Sequence, residues 1–181
     1  MDTNELKNSV YSLNSTVNPA LGRIQELGSQ ISSNIVSMQT LKQKGQECYA
    51  RARQAEDPST ANQYIDLYNQ CVREYGRLHD QTGQLQAEKE SLQSSTRSYA
   101  SSYENLAAEA SENCNQLRAA MQKLGGINSQ YGSAARNLGS QFQTKISVNQ
   151  ACYNECKRMV GLINQLCGEG GSQQVKSYGR R

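Results

Sequence analysis

One series of positions constrains this chain more than any other: Ile65, Tyr68, Val72, Tyr75, Leu78, Thr82, Leu85, Lys89, Leu92, Thr96, Tyr99, Tyr103, Leu106, Ala110, Asn113, Leu117, Met121 and Leu124. Most are apolar or aromatic. The steps between them alternate three and four, with a repeated three at Tyr75 to Leu78 and a repeated four at Leu117 to Met121. That is the spacing of one stripe on a long helix. No proline interrupts it, and no glycine falls between Gly83 and Gly125. A continuous helix of this length spans on the order of 90 Å. It is too long for one element of a compact domain, so other helices must lie along it.

The segment before it carries a second stripe: Leu6, Val10, Leu13, Val17, Ala20, Ile24, Leu27, Ile31, Asn34, Met38, Leu41, Gly45, Cys48, Ala52 and Ala55. Its four-three alternation is unbroken, a coiled-coil signal, and Asn34 within the seam is a register-fixing residue. Pro19 is the weak point. The phase survives across it, so a kink or short break is expected there, with Asn18 able to cap a new helix. Glu56-Asp57-Pro58 is the clearest punctuation: a carboxylate cap, then a residue with no amide hydrogen to satisfy. The turn is tight, so the next helix runs back antiparallel. This pairing places Tyr68 near Glu47 and Cys71 about one turn from Cys48.

Gly125-Gly126 reads as the second turn. A third stripe follows: Ile127, Tyr131, Ala135, Leu138, Phe142, Ile146, Asn149, Cys152, Cys156, Val160, Ile163 and Cys167. It stops at Gly168, and residues 172–181 form a polar, basic tail. Gln93 to Ser98 is poor in helix formers and is where the middle helix would open. The stripe phase through Lys89, Leu92, Thr96 and Tyr99 favours continuity.

Composition fits narrow seams better than a wide interior. Ser, Gln, Asn and Thr make up 64 of the 181 residues, there is no Trp, and Phe142 is the only Phe. A helix seam needs only about two apolar residues in seven. Disorder is the alternative for so polar a chain, but disorder does not require a kept period. The net charge of +3 is unevenly placed. Residues 57–124 carry nine acidic and six basic side chains, and residues 125–181 carry two and seven. Complementary charge of this kind suits side-by-side helices. The local run Lys42, Lys44, Arg51 and Arg53 is too small to argue for nucleic acid. No apolar stretch of about 18 residues exists, and the N-terminus has no apolar signal region, so a cytoplasmic location is the expectation, with signal-less export open.

The six cysteines, Cys48, Cys71, Cys114, Cys152, Cys156 and Cys167, are scattered over helix and fall on or beside stripes. That is the pattern of small buried thiols, not of a disulfide framework. Cys152 and Cys156 share a helix face but make half a metal site at most, and pairing about Gly125 puts Tyr99 and Ser95 opposite them. His79, the only histidine, falls loosely near Cys167 in the same pairing. Cys48 with Cys71 is the best placed possible redox pair. With one histidine and no phosphate-binding loop, no catalytic, cofactor or metal residue is assigned, and an enzyme is not expected. The ten tyrosines are the least usual feature. Tyr68, Tyr75, Tyr99 and Tyr103 sit on the stripe, as core residues whose hydroxyls reach water across narrow seams and as candidate interface anchors. Gly76 with Gly83 and Gly132 with Gly139 are heptad pairs that imply either close helix approach or tolerated flexibility.

These observations point to an all-α chain: an elongated antiparallel three-helix coiled-coil rod with helices near 3–55, 58–124 and 127–167 in a single domain, 1–171. A compact up-down four-helix bundle is the alternative. Counted from the turns, three helices overlap only over 84–112, and ends covered by two helices would leave seam surface open. The expected function is a non-enzymatic scaffold or adaptor that packs against other helical proteins or itself, a homo-oligomer with no nucleic-acid role. The architecture alone resembles small helical-hairpin proteins exported by bacterial specialised secretion systems. No residue carries that likeness, and their tryptophan-containing turn is absent. A third reading is a peripheral membrane-binding module using Lys42, Lys44, Arg51 and Arg53.

Overall fold

The computed structural model describes residues 1–168, with the side chains of 125–131 outside the description. The expected basic tail at 172–181 lies outside the described residues, as do the side chains of Ile127 and Tyr131. The chain is all-α: α1 spans Thr3–Gln54, α2 Pro58–Arg97 and α3 Tyr99–Cys167, with no strand among the described residues. No described helix is long and apolar enough to cross a membrane.

α1 buries the expected stripe. Leu6, Val10, Val17, Ile24, Leu27, Ile31, Met38 and Cys48 are all buried. Pro19 lies inside the helix without ending it. It stands on the exposed side, where water can take the carbonyl that loses its amide partner. Asn34 is half-buried in the seam, and its Nδ2 has no hydrogen-bond partner among the described residues.

The α1–α2 turn forms as its residues require. The Asp57 carboxylate accepts from the Thr60 amide at 2.8 Å, the Ser59 amide at 3.2 Å and the Thr60 hydroxyl at 2.8 Å. These bonds hold its pKa below the usual carboxylate value. Pro58 then opens α2 at the position where its missing N–H costs nothing.

α2 departs from the expected stripe below Tyr75. Cys71 is buried, whereas Val72 is 50% and Ile65 36% exposed. The seam follows Tyr64, Tyr68, Cys71, Tyr75 and Leu78, a regular four-three alternation. The repeated three at Tyr75 to Leu78 marks the place where the expected stripe crosses from one helix face to another. The Gln93–Ser98 patch interrupts the helix by a single residue. Ser98 keeps helical angles, φ −60 and ψ −23, and its hydroxyl bonds the Ser95 carbonyl at 2.7 Å.

The second reversal is not at Gly125-Gly126. Helix runs through both glycines, and the break is at Gly132, with φ 39 and ψ −101. Glycine inside a helix costs about 1 kcal/mol but is permitted, whereas a sharp corner with positive φ is open essentially to glycine alone. The register agrees with this corner. The Cys114 thiol points to the Ile146 carbonyl at 3.7 Å, Asn113 bonds Asn149 at 3.0 Å, and Gly139 faces Leu124. On the returning segment Met159 is buried in place of Val160 as the innermost side chain, and Leu138 is exposed.

Contacts group the chain into two compact units. One comprises residues 1–22 and 93–168. It is a bundle of three helical segments: the start of α1 and the two arms of α3. The other, residues 23–92, is an antiparallel pair made of the remainder of α1 and most of α2. In the pair, Arg23 meets Glu88 at 2.9 Å, Gly45 faces Cys71 and Tyr68, and Arg51 lies over the Tyr64 ring.

Candidate functional site

Two polar layers lock the bundle. In the first, Asn149 is fully buried. Its Nδ2 donates to the Thr3 hydroxyl at 3.0 Å and the Lys145 carbonyl at 2.8 Å, and its Oδ1 accepts from Asn113 at 3.0 Å. Asn113 also donates to the Met1 carbonyl at 3.0 Å. The side-chain amide of Asn149 is thus engaged at both its nitrogen and its oxygen, by all three segments, which is what a buried amide needs. In the second layer, Tyr103 is fully buried and donates to Asn14 Oδ1 at 2.7 Å. Asn14 Nδ2 donates to Glu155 at 2.8 Å, and Arg158 holds Glu155 through two bonds of 2.7 and 2.8 Å. Arg158 and Asn14 lower the Glu155 pKa, and burial raises that of Tyr103. The expectation that stripe tyrosines reach water fails at Tyr103. Its hydroxyl is satisfied by Asn14 instead, and its ring is used up inside the chain.

The cysteines of the bundle are core groups. Cys114, Cys152, Cys156 and Cys167 are free and buried. Burial, aided by neighbouring Cys152 and Glu155, pushes the Cys156 thiol up to about 11, and burial also raises Cys152 and Cys167. Thiols held protonated are poor nucleophiles and poor metal ligands. The shifted corner changes their surroundings. Cys156 stands by Tyr103 and Glu155, not by Tyr99 or Ser95. The end of α3 is closed by Gln93, bonded to the Leu166 carbonyl at 2.5 Å, and by the Arg97 guanidinium on the Cys167 carbonyl. A cation there meets the negative end of the helix. His79 belongs to the other unit, stacked on Tyr75 with ring centres 6.4 Å apart. Among the described residues, no group of three or more His, Cys, Asp or Glu is placed to hold a metal. An open groove of about 620 Å³ runs beside Asn14, Cys152 and Glu155, flanked by Lys7 and Tyr11.

The helical pair carries the rest of the expected site residues. Tyr68 and Tyr75 are half-buried, and the Tyr68 ring packs against Tyr49 with centroids 5.6 Å apart. Tyr99, in the bundle, is also half-buried. Lys42, Lys44, Arg51 and Arg53 are exposed, but Arg51 is drawn onto the Tyr64 ring, 5.8 Å from its centre. Cys48 and Cys71 are buried free thiols. Cys71 faces Gly45, which is about one helical turn from Cys48. A side chain added at Gly76 or Gly83 would meet nothing within 4 Å among the described residues, so these glycines do not serve close helix approach there.

Sequence reasoning misses Asn14 and Glu155. Neither lies on a stripe, and only the three-segment packing brings them together. It also misses the open apolar row of Tyr49, Ile65 and Val72, whose members the stripe pattern assigns to the core or leaves out. The irregular step at Tyr75 is the available signal. No protein-family model, curated protein or solved structure matches this chain.

Proposed function

We propose that the protein is a non-enzymatic, heptad-packed helical scaffold or adaptor of the cytoplasm, acting by helix–helix contact with other helical proteins or with itself. One observation carries the reading. The unit of residues 23–92 is only two helices thick, and it leaves Tyr49, Val72 and Ile65 exposed at 49%, 50% and 36%. Exposed apolar groups in a row on a helical pair are the surface a further helix covers. The bundle supplies the contrast: there a third segment buries Met159, Ile163 and Cys156 completely. The test is sedimentation of the purified full chain across a concentration series, alongside cross-linking and recovery of its complexes from native cells. Self-association or a stoichiometric helical partner is expected. A strict monomer that recovers no helical protein refutes the proposal.

A further inference from the structure

This inference rests on the helix-packing reading and gives it a surface and a partner. α1 is one helix, so its heptad rows can be followed along it. One row holds Lys7, Asn14 and Leu21 in the bundle, and Gly28, Ile35, Lys42 and Tyr49 in the helical pair. On α2 the matching row is Gln93 in the bundle and, at steps of seven, Gln86, His79, Val72 and Ile65 in the pair. In the bundle these rows grip the third segment: Asn14 bonds Glu155, and Gln93 bonds the Leu166 carbonyl. In the pair Lys42, Tyr49, Ile65, Val72 and His79 of these rows are exposed and Gly28, Ile35 and Gln86 half-buried, and the aromatic pairs Tyr49–Tyr68 and Tyr75–His79 lie along them.

We propose that this open face of residues 23–92, centred on Tyr49, Ile65 and Val72, binds the same face of a second copy, two helical pairs closing into a four-helix assembly. Charge favours this occupant. Of the row residues in the pair, Lys42 and His79 can carry charge below the tyrosine range, and the Lys89 side chain lies beside Gly28. Charges this few, spread along about 30 residues of each helix, repel an identical face only weakly, and a strongly charged partner gains little. Size favours it as well. Helices of about 30 residues, side by side, present a face roughly 45 Å long and 20 Å wide. That is about 900 Å² per copy, where a stable interface needs about 800 Å². A face that matches itself closes by two-fold symmetry and leaves no open end to polymerise. Tyr49 and Tyr68 supply the aromatic anchors that such interfaces favour.

The experiment is sedimentation equilibrium of the full-length protein over roughly a hundredfold concentration range, with two variants. Ile65→Glu with Val72→Glu puts two carboxylates into the face. Val36→Glu changes a residue that is 61% exposed on the side of α1 turned away from α2. All three positions are exposed in the single chain, so both variants keep their helix content by circular dichroism. The expected result is a wild-type dimer, weakened about a hundredfold or more by the double substitution and by less than about threefold by Val36→Glu. A dimer that survives the double substitution, or that Val36→Glu weakens equally, overturns the inference and leaves the general function standing. A monomeric wild type that recovers a different helical protein from cells does the same. A monomer with no partner overturns both.

Discussion

Removing one oxygen atom tests the account of the bundle most directly. Tyr103→Phe keeps a fully buried ring and deletes the hydroxyl that reaches Asn14 Oδ1 at 2.7 Å. The lost hydrogen bond contributes about 1 kcal/mol net, and an acceptor left unpaired in a buried setting costs about 1–3 kcal/mol. Asn14 is only half-buried and borders a groove, so water recovers part of the second cost. The expected total is about 1.5 kcal/mol. For a chain of this size that lowers Tm by about 3–6 °C. Tyr103→Ala also forfeits ring packing and is expected to cost about 3–5 kcal/mol. Asn14→Ala breaks both the Tyr103 and the Glu155 bonds, so Tyr103→Phe combined with Asn14→Ala should cost about 1 kcal/mol less than the sum of the singles. Because the chain forms two units, denaturant melts should be read with peptide-resolved hydrogen exchange over residues 99–113, which reports the bundle. A Tyr103→Phe protein within about 0.3 kcal/mol of wild type, or an additive double variant, refutes the claim that this layer stabilises the bundle as a connected network.

Gly132→Ala places a Cβ on a residue with φ 39 and should destabilise the chain by about 1–3 kcal/mol, loosening the α3 corner in a thermal melt; an unchanged melt would contradict the corner. Gly45→Ala should stabilise by about 1 kcal/mol in urea unfolding, because the added Cβ meets the Cys71 Cβ at 3.6 Å and a Tyr68 ring carbon at 3.7 Å, both ordinary contacts; a loss of stability would show that the seam there has no room. Cys156 has its folded pKa raised from 9.0 to about 11, so its stabilising share is complete below pH 9, falls as pH rises through that window and is gone above it. Cys156→Ala should therefore flatten the pH dependence of urea midpoints between these values, and an unaltered slope would count against the buried neutral thiol.

How the chain folds is legible from particular residues. Asp57-Pro58 states its own turn, because a carboxylate cap and a proline at the first helical position satisfy local needs without any partner. The α1 stripe states its own face, because one helix buries one row and the period survives Pro19. The α2 stripe is only half legible: Ile65 and Val72 are as apolar as Cys71, and which of them turns inward depends on Gly45 and Tyr49 across the seam. Gly125 and Gly126 are the stronger turn signal in the sequence, yet the corner is at Gly132. Glycine permits a turn without requiring one, and the pairing of Asn113 with Asn149 and of Cys114 with Ile146 selects which glycine must take positive φ. That shift in turn decides which side chains meet. Local periodicity therefore determined that this protein is built of long helices with narrow seams. Tertiary packing alone decided that Tyr103 meets Asn14 and Glu155 and that Ile65 and Val72 remain open, because register between distant segments is set by the sum of many weak contacts that no single stretch encodes.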